Sequence, residues 1–389
     1  MKSVTARAFL IAQSEGRADL HKPVNAEKKI LPLKDESVSK RLSIADVLLH
    51  RVGLPPHDCL WYLGPGSSKD LARKVQLLDS IPDGFRKTFI YSNLMYSTLA
   101  PLFNELTGQD FESWVTSKIF KPLKMESTSM HSPSADQVDV ALPYFGAEKI
   151  ALKDLKAVVS GGGLRSNLDD LTKWLSFNLR PENIEAHPAT NELIPLENPS
   201  PLQFQGLYWL SEAVVYGYGW FIGKAFGETV FFHPGFIDGY SSIMVMLPVH
   251  NVGMTVLANE SFSSFPGLLV QQLIADLVGK KVPETAVAVA PPAPPQVVAA
   301  PQAISGFYES QSYGTVQISE GKEGAVLKYN GHEWLLNFIG PDTALFSVIA
   351  LGIPIPLPAQ LVRKNGKVES VSIPFSFDPR VAAECFTRV

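Results

Sequence analysis

The chain has 389 residues, 46% of them apolar and 19% charged, with 34 Lys+Arg against 38 Asp+Glu for a net charge of −4. That apolar fraction is too high and the charge too low for a disordered chain, and the length suits two domains or one large domain with an appendage. A mildly acidic balance without a long Lys/Arg run excludes the broad basic face of a nucleic-acid binder.

The opening stretch, Met1 to Ala12, is short, is interrupted by Arg7, and leads into Ser14-Glu15-Gly16-Arg17, a pattern unlike a secretory leader. Nowhere do about 18 apolar residues run together, so no membrane span is expected. Cys59 and Cys385 are too far apart in sequence for a metal or CxxC motif. Two thiols in so long a chain suit a reducing compartment, and the expected location is cytoplasmic.

Helix signals follow in order. One covers Ile44 to Leu49, and another runs from Asn93 through Leu106 to a stop at Gly108. A third starts at the N-cap pair Ser166-Asn167, has Asp169 and Asp170 in its first turn, and continues through Leu171, Trp174 and Leu175. Strand signals gather late, at Thr229 to Phe232, Ser242 to Leu247 and Val252 to Leu257, and a helix from Leu268 to Leu277 closes the region. Late sequential strands with a block of helices predict an α+β architecture, an antiparallel sheet flanked by helices.

From Thr285 to Ala303 no residue is charged, and five prolines are interspersed with Ala and Val. This predicts a semi-rigid linker over 285–303 between a first domain, 1–284, and a second, 304–389; an irregular loop inside one domain is the alternative. After it come short strand-like runs at Gly314 to Ile318, Ala325 to Tyr329 and Lys367 to Ile373, with hairpin-type turns at Asn330-Gly331 and Asn365-Gly366. Residues 304–389 therefore read as a small, barrel-like antiparallel β domain, without clustered His, Cys or carboxylates to carry chemistry.

No phosphate-binding or dinucleotide-binding glycine loop, HExxH or EF-hand loop is present, and the eight histidines lack metal-ligand spacing. No metal and no cofactor are expected. Gly217-Tyr218-Gly219-Trp220 reads as a strand edge or turn. Ser160-Gly161-Gly162-Gly163 could cradle a phosphate or let two backbones approach closely. Phe231-Phe232-His233-Pro234-Gly235-Phe236 places a histidine at the end of an apolar strand, with Pro-Gly ending the strand and leaving the ring at its rim. Tyr91-Ser92-Asn93 stands just before a helix, where in isolation Tyr91 is a core aromatic and Asn93 a cap.

Together and in this order, these stretches resemble the serine β-lactamase and penicillin-binding-protein superfamily, in particular its class C β-lactamase, D-aminopeptidase and esterase-like branch. Tyr91-Ser92-Asn93 looks like the family's Y-x-N, and His233-Pro234-Gly235 like its H-x-G variant of K-T-G. His50-Arg51-Val52-Gly53-Leu54-Pro55, Ile119 to Met125 and Gly161 to Asn167 match in type and order, so the resemblance covers nearly all of residues 1–280. For the family's S-x-x-K, Met1-Lys2-Ser3-Val4-Thr5-Ala6 aligned without a gap puts Lys2 on the family lysine, with the serine three residues earlier, before Met1. A rival register makes Ser3 the nucleophile and replaces the lysine with Ala6.

The resemblance implies a β-lactamase/transpeptidase-like fold and an enzyme acting on an ester or amide of a small, apolar molecule, by hydrolysis or acyl transfer. It assigns catalysis to Lys2, Tyr91 and His233, and substrate binding to Ser3, Asn93, Gly235, Phe236 (through its N–H) and Tyr240. Without the serine, two alternatives arise: a repurposed enzyme performing non-covalent acid–base chemistry (isomerisation, elimination or cyclisation, as in secondary metabolism), or a non-catalytic ligand-binding protein.

Overall fold

The computed structural model describes residues 1–64, 66–131, 139–185, 193–196, 214–282, 297–301, 303–350, 353–376, 378 and 380–389. Most of the predicted 285–303 linker lies outside the described residues.

The first helix, α1 (Lys2–Ser14), buries Val4, Ala8, Phe9 and Ala12 and ends against Gly16, which holds a φ of +69°. The predicted helix at Ile44 forms α2 (Ile44–Leu48). Ser43 and Asp46 close a reciprocal capping box at its start. Asp46 is fully buried and also takes the Nε of Arg51 at 2.7 Å and that of Arg86 at 2.8 Å. This clasp aligns two stretches of backbone, with Arg86 N–H donating to Arg51 O (2.7 Å) and Ile90 N–H to His50 O (2.8 Å). The second stretch leads directly into Tyr91. Asp46→Asn leaves two guanidinium groups without their charge partner, but both arginines reach solvent, which hydrates part of what is lost. The expected cost is ~2 kcal/mol in a urea melt at pH 7.

A short helix follows, α3 (Asp58–Tyr62), and then the helix expected from Asn93 to Leu106 appears as two pieces, α4 (Asn93–Ser97) and α5 (Leu99–Thr107). The break has a covalent cause: Pro101 has no N–H to return to the Ser97 carbonyl. Ser160 fills the gap, its hydroxyl donating to Tyr96 O (2.8 Å) and accepting from Ala100 N–H (3.1 Å). Gly161, next to it, lies so close that a Cβ there would stand 3.0 Å from Asn93 O. The Ser160–Gly163 run thus brings two backbones together. The helix signalled at Ser166-Asn167 is α6 (Leu168–Asn178), capped by Asn167 accepting from Asp170 N–H.

The strands form a six-stranded antiparallel meander in chain order: β1 (Ile194–Pro195), β2 (Val215–Gly217), β3 (Trp220–Ala225), β4 (Glu228–Ile237), β5 (Tyr240–Leu247) and β6 (Val252–Ala258). Helix α7 (Phe265–Leu277) packs on β5 and β6, and α6 packs on β6. One expectation is corrected. The strand carrying His233 does not end at Pro234-Gly235 but continues to Ile237, paired with β5 throughout. Its partner β3 reaches only Phe232. Beyond that point β4 is paired on one side alone, and such a stretch accommodates a proline with no N–H to give. The unpaired edge from His233 to Asp238 is partly exposed along its whole length.

The C-terminal part is a nine-stranded antiparallel sheet built from β7 (Gly306–Ser310), β8 (Gly314–Gly321), β9 (Gly324–Tyr329), β10 (His332–Leu335), β11 (Asn337–Phe338), β12 (Thr343–Ala350), β13 (Ile353–Lys364), β14 (Lys367–Ile373) and β15 (Glu384–Arg388). Their order is β10-β9-β8-β7-β15-β14-β13-β12-β11, and contact between β10 and β12 nearly closes a barrel. Asn330-Gly331 and Asn365-Gly366 form two of its two-residue turns, all four residues with positive φ, which suits this residue pair. Tyr313, Tyr329, Phe375 and Phe386 pack within it. Among the described residues no helix is long and apolar enough to cross a membrane, and both cysteines are free.

Candidate active site

The first turn of α1 delivers Lys2 to the junction of the helical layer and the sheet. Its side chain is buried, with Nζ donating to Asn93 Oδ1 at 2.6 Å and to Gly161 O at 2.7 Å. The ammonium lies 4.5 Å from the centroid of the Tyr91 ring and 5.2 Å from that of Tyr96. Burial pulls its pKa from 10.5 down to about 7, with the charge of Asp58 opposing the shift.

Tyr91 and Asn93 come from the turn into α4, which Ser92 caps by accepting from Met95 N–H. That turn is held by His50, whose Nδ1 accepts from Ser92 N–H at 3.1 Å. The ring of His50 lies 4.5 Å from that of Tyr91, 4.7 Å from Tyr96 and 5.0 Å from Tyr216. An accepting Nδ1 means a neutral imidazole, and burial drives the His50 pKa well below its ordinary value in agreement. Burial likewise drives the Tyr91 hydroxyl upward, so it holds its proton.

His233 stands where β4 leaves β3. Its Nδ1 lies 2.6 Å from the carbonyl oxygen of Pro234, which can only accept, so Nδ1 carries the hydrogen. Burial, then the Lys2 charge, lowers its pKa well below the ordinary value, keeping the ring neutral. Nε2 is then an acceptor, 3.5 Å from Tyr216 Oη, with the Tyr91 ring 6.1 Å away centroid to centroid.

The structure therefore brings Lys2, Tyr91, Asn93 and His233 together. Gly235 and Phe236 follow on the open edge of β4. A Cβ on Gly235 would stand 2.5 Å from Ser242 Oγ, and Phe236 stacks on Phe262 at 5.4 Å. Tyr240 is tied to the far side of the hairpin, donating to Ala141 O at 2.6 Å. Ser3 is not brought to the group. It follows Lys2 around the helix, is buried, and accepts from Trp174 Nε1 at 3.3 Å.

Two residues outside the sequence expectations also meet here. Tyr216 joins His50 and His233 from β2. Asp58, at the start of α3, accepts from Trp61 Nε1 at 2.5 Å, and burial raises its pKa to about 6. A lone Asp before Cys59-Leu60-Trp61-Tyr62 was the only sequence signal for Asp58, a charge beside an apolar run that becomes core. Among the described residues no group of three or more His, Cys, Asp or Glu could hold a metal. A lysine that sheds its proton near neutrality, a protonated tyrosine and an accepting imidazole make a set suited to moving protons.

The chain was compared with known proteins. The sequence model of the family described as Beta-lactamase matches residues 1–279. The unguisins hydrolase of Aspergillus campestris is 28% identical over 271 residues, covering 64% of this chain and 48% of that protein. Protein flp of Staphylococcus aureus is 24% identical over 298 residues, 72% of this chain and 55% of that one. The chain thus spans about half the length of the curated relatives it matches. Among solved structures, the octameric penicillin-binding protein homologue from Pyrococcus abyssi superposes with a TM-score of 0.59 at 18% identity, over 99% of this chain and 86% of that one. The D-amino acid amidase from Ochrobactrum anthropi, complexed with D-phenylalanine, gives 0.57 at 19% identity, over 71% of this chain and 89% of its own. With its family model covering α1 through α7, the chain belongs to the beta-lactamase family.

Proposed function

We propose that this chain carries the proton-transfer machinery of a hydrolase or acyltransferase acting on an amide or ester of a small, apolar molecule. The observation that carries the reading is the placement of Lys2: buried, bonded to Asn93 and Gly161, and against Tyr91. A lysine that is half neutral at pH 7 is a competent general base. In this reading neutral Lys2 takes the proton of a serine hydroxyl one helical turn earlier, a position three residues before Lys2 and ahead of the first residue of this sequence. Tyr91 takes up that proton from Lys2 as its own hydroxyl proton passes to the leaving group, with the neutral His233 ring beside it. The N–H of Phe236 donates to the developing oxyanion. The name of the Aspergillus hydrolase supports hydrolysis, and that of the Ochrobactrum amidase supports an amide. Phe236, on the open edge of β4 and stacked on Phe262, supplies an apolar wall.

The test uses this chain together with whatever in-frame residues precede Met1 in its gene. It is assayed on D-amino acid p-nitroanilides and p-nitrophenyl esters and treated with a fluorophosphonate label. The expected kcat/KM rises with pH through a midpoint near 7, as Lys2 loses its proton. Absence of both turnover and labelling would sink the reading.

A further inference from the structure

The short helix α3 is held at both ends by distant parts of the chain. At its start, the buried ring of His57 has Nδ1 2.7 Å from the Tyr313 hydroxyl of the barrel, and beside it Lys74 Nζ donates to Ser312 O at 3.1 Å. Along its length α3 packs on α4, the helix that begins with Asn93. At its end, the buried Tyr62 donates its hydroxyl hydrogen to the carboxylate of Asp238, where β4 turns into β5. Lys153 holds that tyrosine from another side: its Nζ donates to Tyr62 O at 2.7 Å and stands 3.8 Å from the centroid of the ring. Arg165 in turn donates to Lys153 O at 2.7 Å. The helix therefore crosses from the helical layer, which carries Asn93, to the far end of the unpaired edge of β4.

The catalytic groups lie at the near end of that edge, with His233 where β4 leaves β3 and Phe236 further along. In the reaction proposed above, the leaving group takes its proton from Tyr91, beside His233, and the oxyanion meets the N–H of Phe236. The acyl part then points the other way along the edge, toward Asp238. From Phe236 to Asp238 the strand advances by about 7 Å, the span of two extended residues, and the bond from Tyr62 stands across its end.

We propose that Tyr62 is a specificity-determining residue: its bridge to Asp238 closes the cleft on the acyl side, so that the substrate carries a short acyl group, about one amino-acid residue long. The substrate class rests on the proposed function, whereas the bridge itself stands without turnover. Because α3 is pinned to the barrel through Tyr313, the bridge is a fixed wall, and the C-terminal barrel thereby takes part in substrate selection.

The experiment uses the chain of the preceding test on p-nitrophenyl acetate, butyrate and octanoate. Wild type is expected to lose at least ~100-fold in kcat/KM from acetate to octanoate. In Tyr62→Ala that loss is expected to shrink to ~10-fold or less, through KM for octanoate, with kcat on acetate within about threefold of wild type. A merely structural defect lowers all three esters together and leaves their ratio unmoved. Without substrate, hydrogen exchange of the amides at 237–239 is expected to quicken ~10-fold in Tyr62→Ala and in Tyr62→Phe, which keeps the ring and loses only the hydroxyl. A wild type that takes octanoate as readily as acetate, or a folded Tyr62→Ala that keeps the wild-type ratio, overturns the proposal. Should Tyr62→Ala not fold, Asp238→Ala cuts the same bridge from the other side, and the ratio is read there. If no ester is turned over, the hydrolase reading fails and exchange decides this one: faster exchange in Tyr62→Phe supports the bridge, and an unchanged rate overturns it.

Discussion

Lys2→Met is expected to lower kcat for amide or ester hydrolysis by ~10³–10⁴, because the general base is gone, and to leave KM within a few-fold. Its effect on stability has a sign that checks the same premise. In the folded chain the Lys2 pKa lies at about 7, against 10.5 for an exposed lysine. Between those values the unfolded chain holds a proton that the folded chain has released, so stability rises with pH across the interval. The contribution is complete above the unfolded value and is lost as pH falls through the folded one. Wild type is therefore expected to gain on Lys2→Met from pH 7 upward, in full on the order of 5 kcal/mol. Urea melts of both proteins at pH 7, 8 and 9 measure it. A difference that stays constant over that range contradicts a depressed Lys2.

Gly219→Ala is expected to damage the fold and the site together. Gly219 holds a φ of +90°, and an added Cβ would stand 2.4 Å from Ser3 N and 2.6 Å from the Lys2 carbonyl carbon. Neither atom is the end of a flexible side chain, so α1 or the β2–β3 turn must move. A left-handed alanine and the overpacking together cost ~3 kcal/mol, a fall of roughly 6–12 °C in Tm. Activity is expected to vanish even at 20 °C, since the contact falls on the first turn of α1, which carries Lys2. Gly227 supplies the control: its φ is +92°, but nothing lies within 4 Å of its added Cβ. Gly227→Ala is expected to cost ~1 kcal/mol and to leave kcat intact. Scanning calorimetry and the p-nitrophenyl ester assay separate the two glycines.

What could be read from the sequence was what local chemistry announces. Two Asn-Gly pairs marked barrel turns because both residues must adopt positive φ. Asn167 marked the start of α6 because its side chain caps that helix. Tyr91, Asn93 and His233 stood out through the likeness of their stretches, in order, to the motifs of a known family, and the structure collects all three around Lys2. The misreadings arose where a local signal met a distant partner. Pro234 looked like the end of a strand, yet β5 continues to pair across it because the other edge is open. The stretch from Asn93 to Leu106 looked like one helix, and the missing N–H of Pro101 divides it where Ser160 inserts. Asp58 had only a charge beside an apolar run to mark it, and Tyr216 had no local signature. Their surroundings are assembled by residues tens to hundreds of positions away, Tyr313 of the barrel among them.

The carbonyl that takes the Nδ1 hydrogen of His233 belongs to the very next residue of the chain. Many imidazoles are oriented by a carboxylate elsewhere in the sequence, which a single substitution can delete. Here the orienting atom is part of the main chain, present whatever side chain the following position bears. The tautomer of this ring is thereby insulated from most single amino-acid changes nearby. Losing it requires the path of β4 itself to bend, so the same hydrogen-bonded pairing with β5 that builds the sheet also decides which nitrogen faces the site.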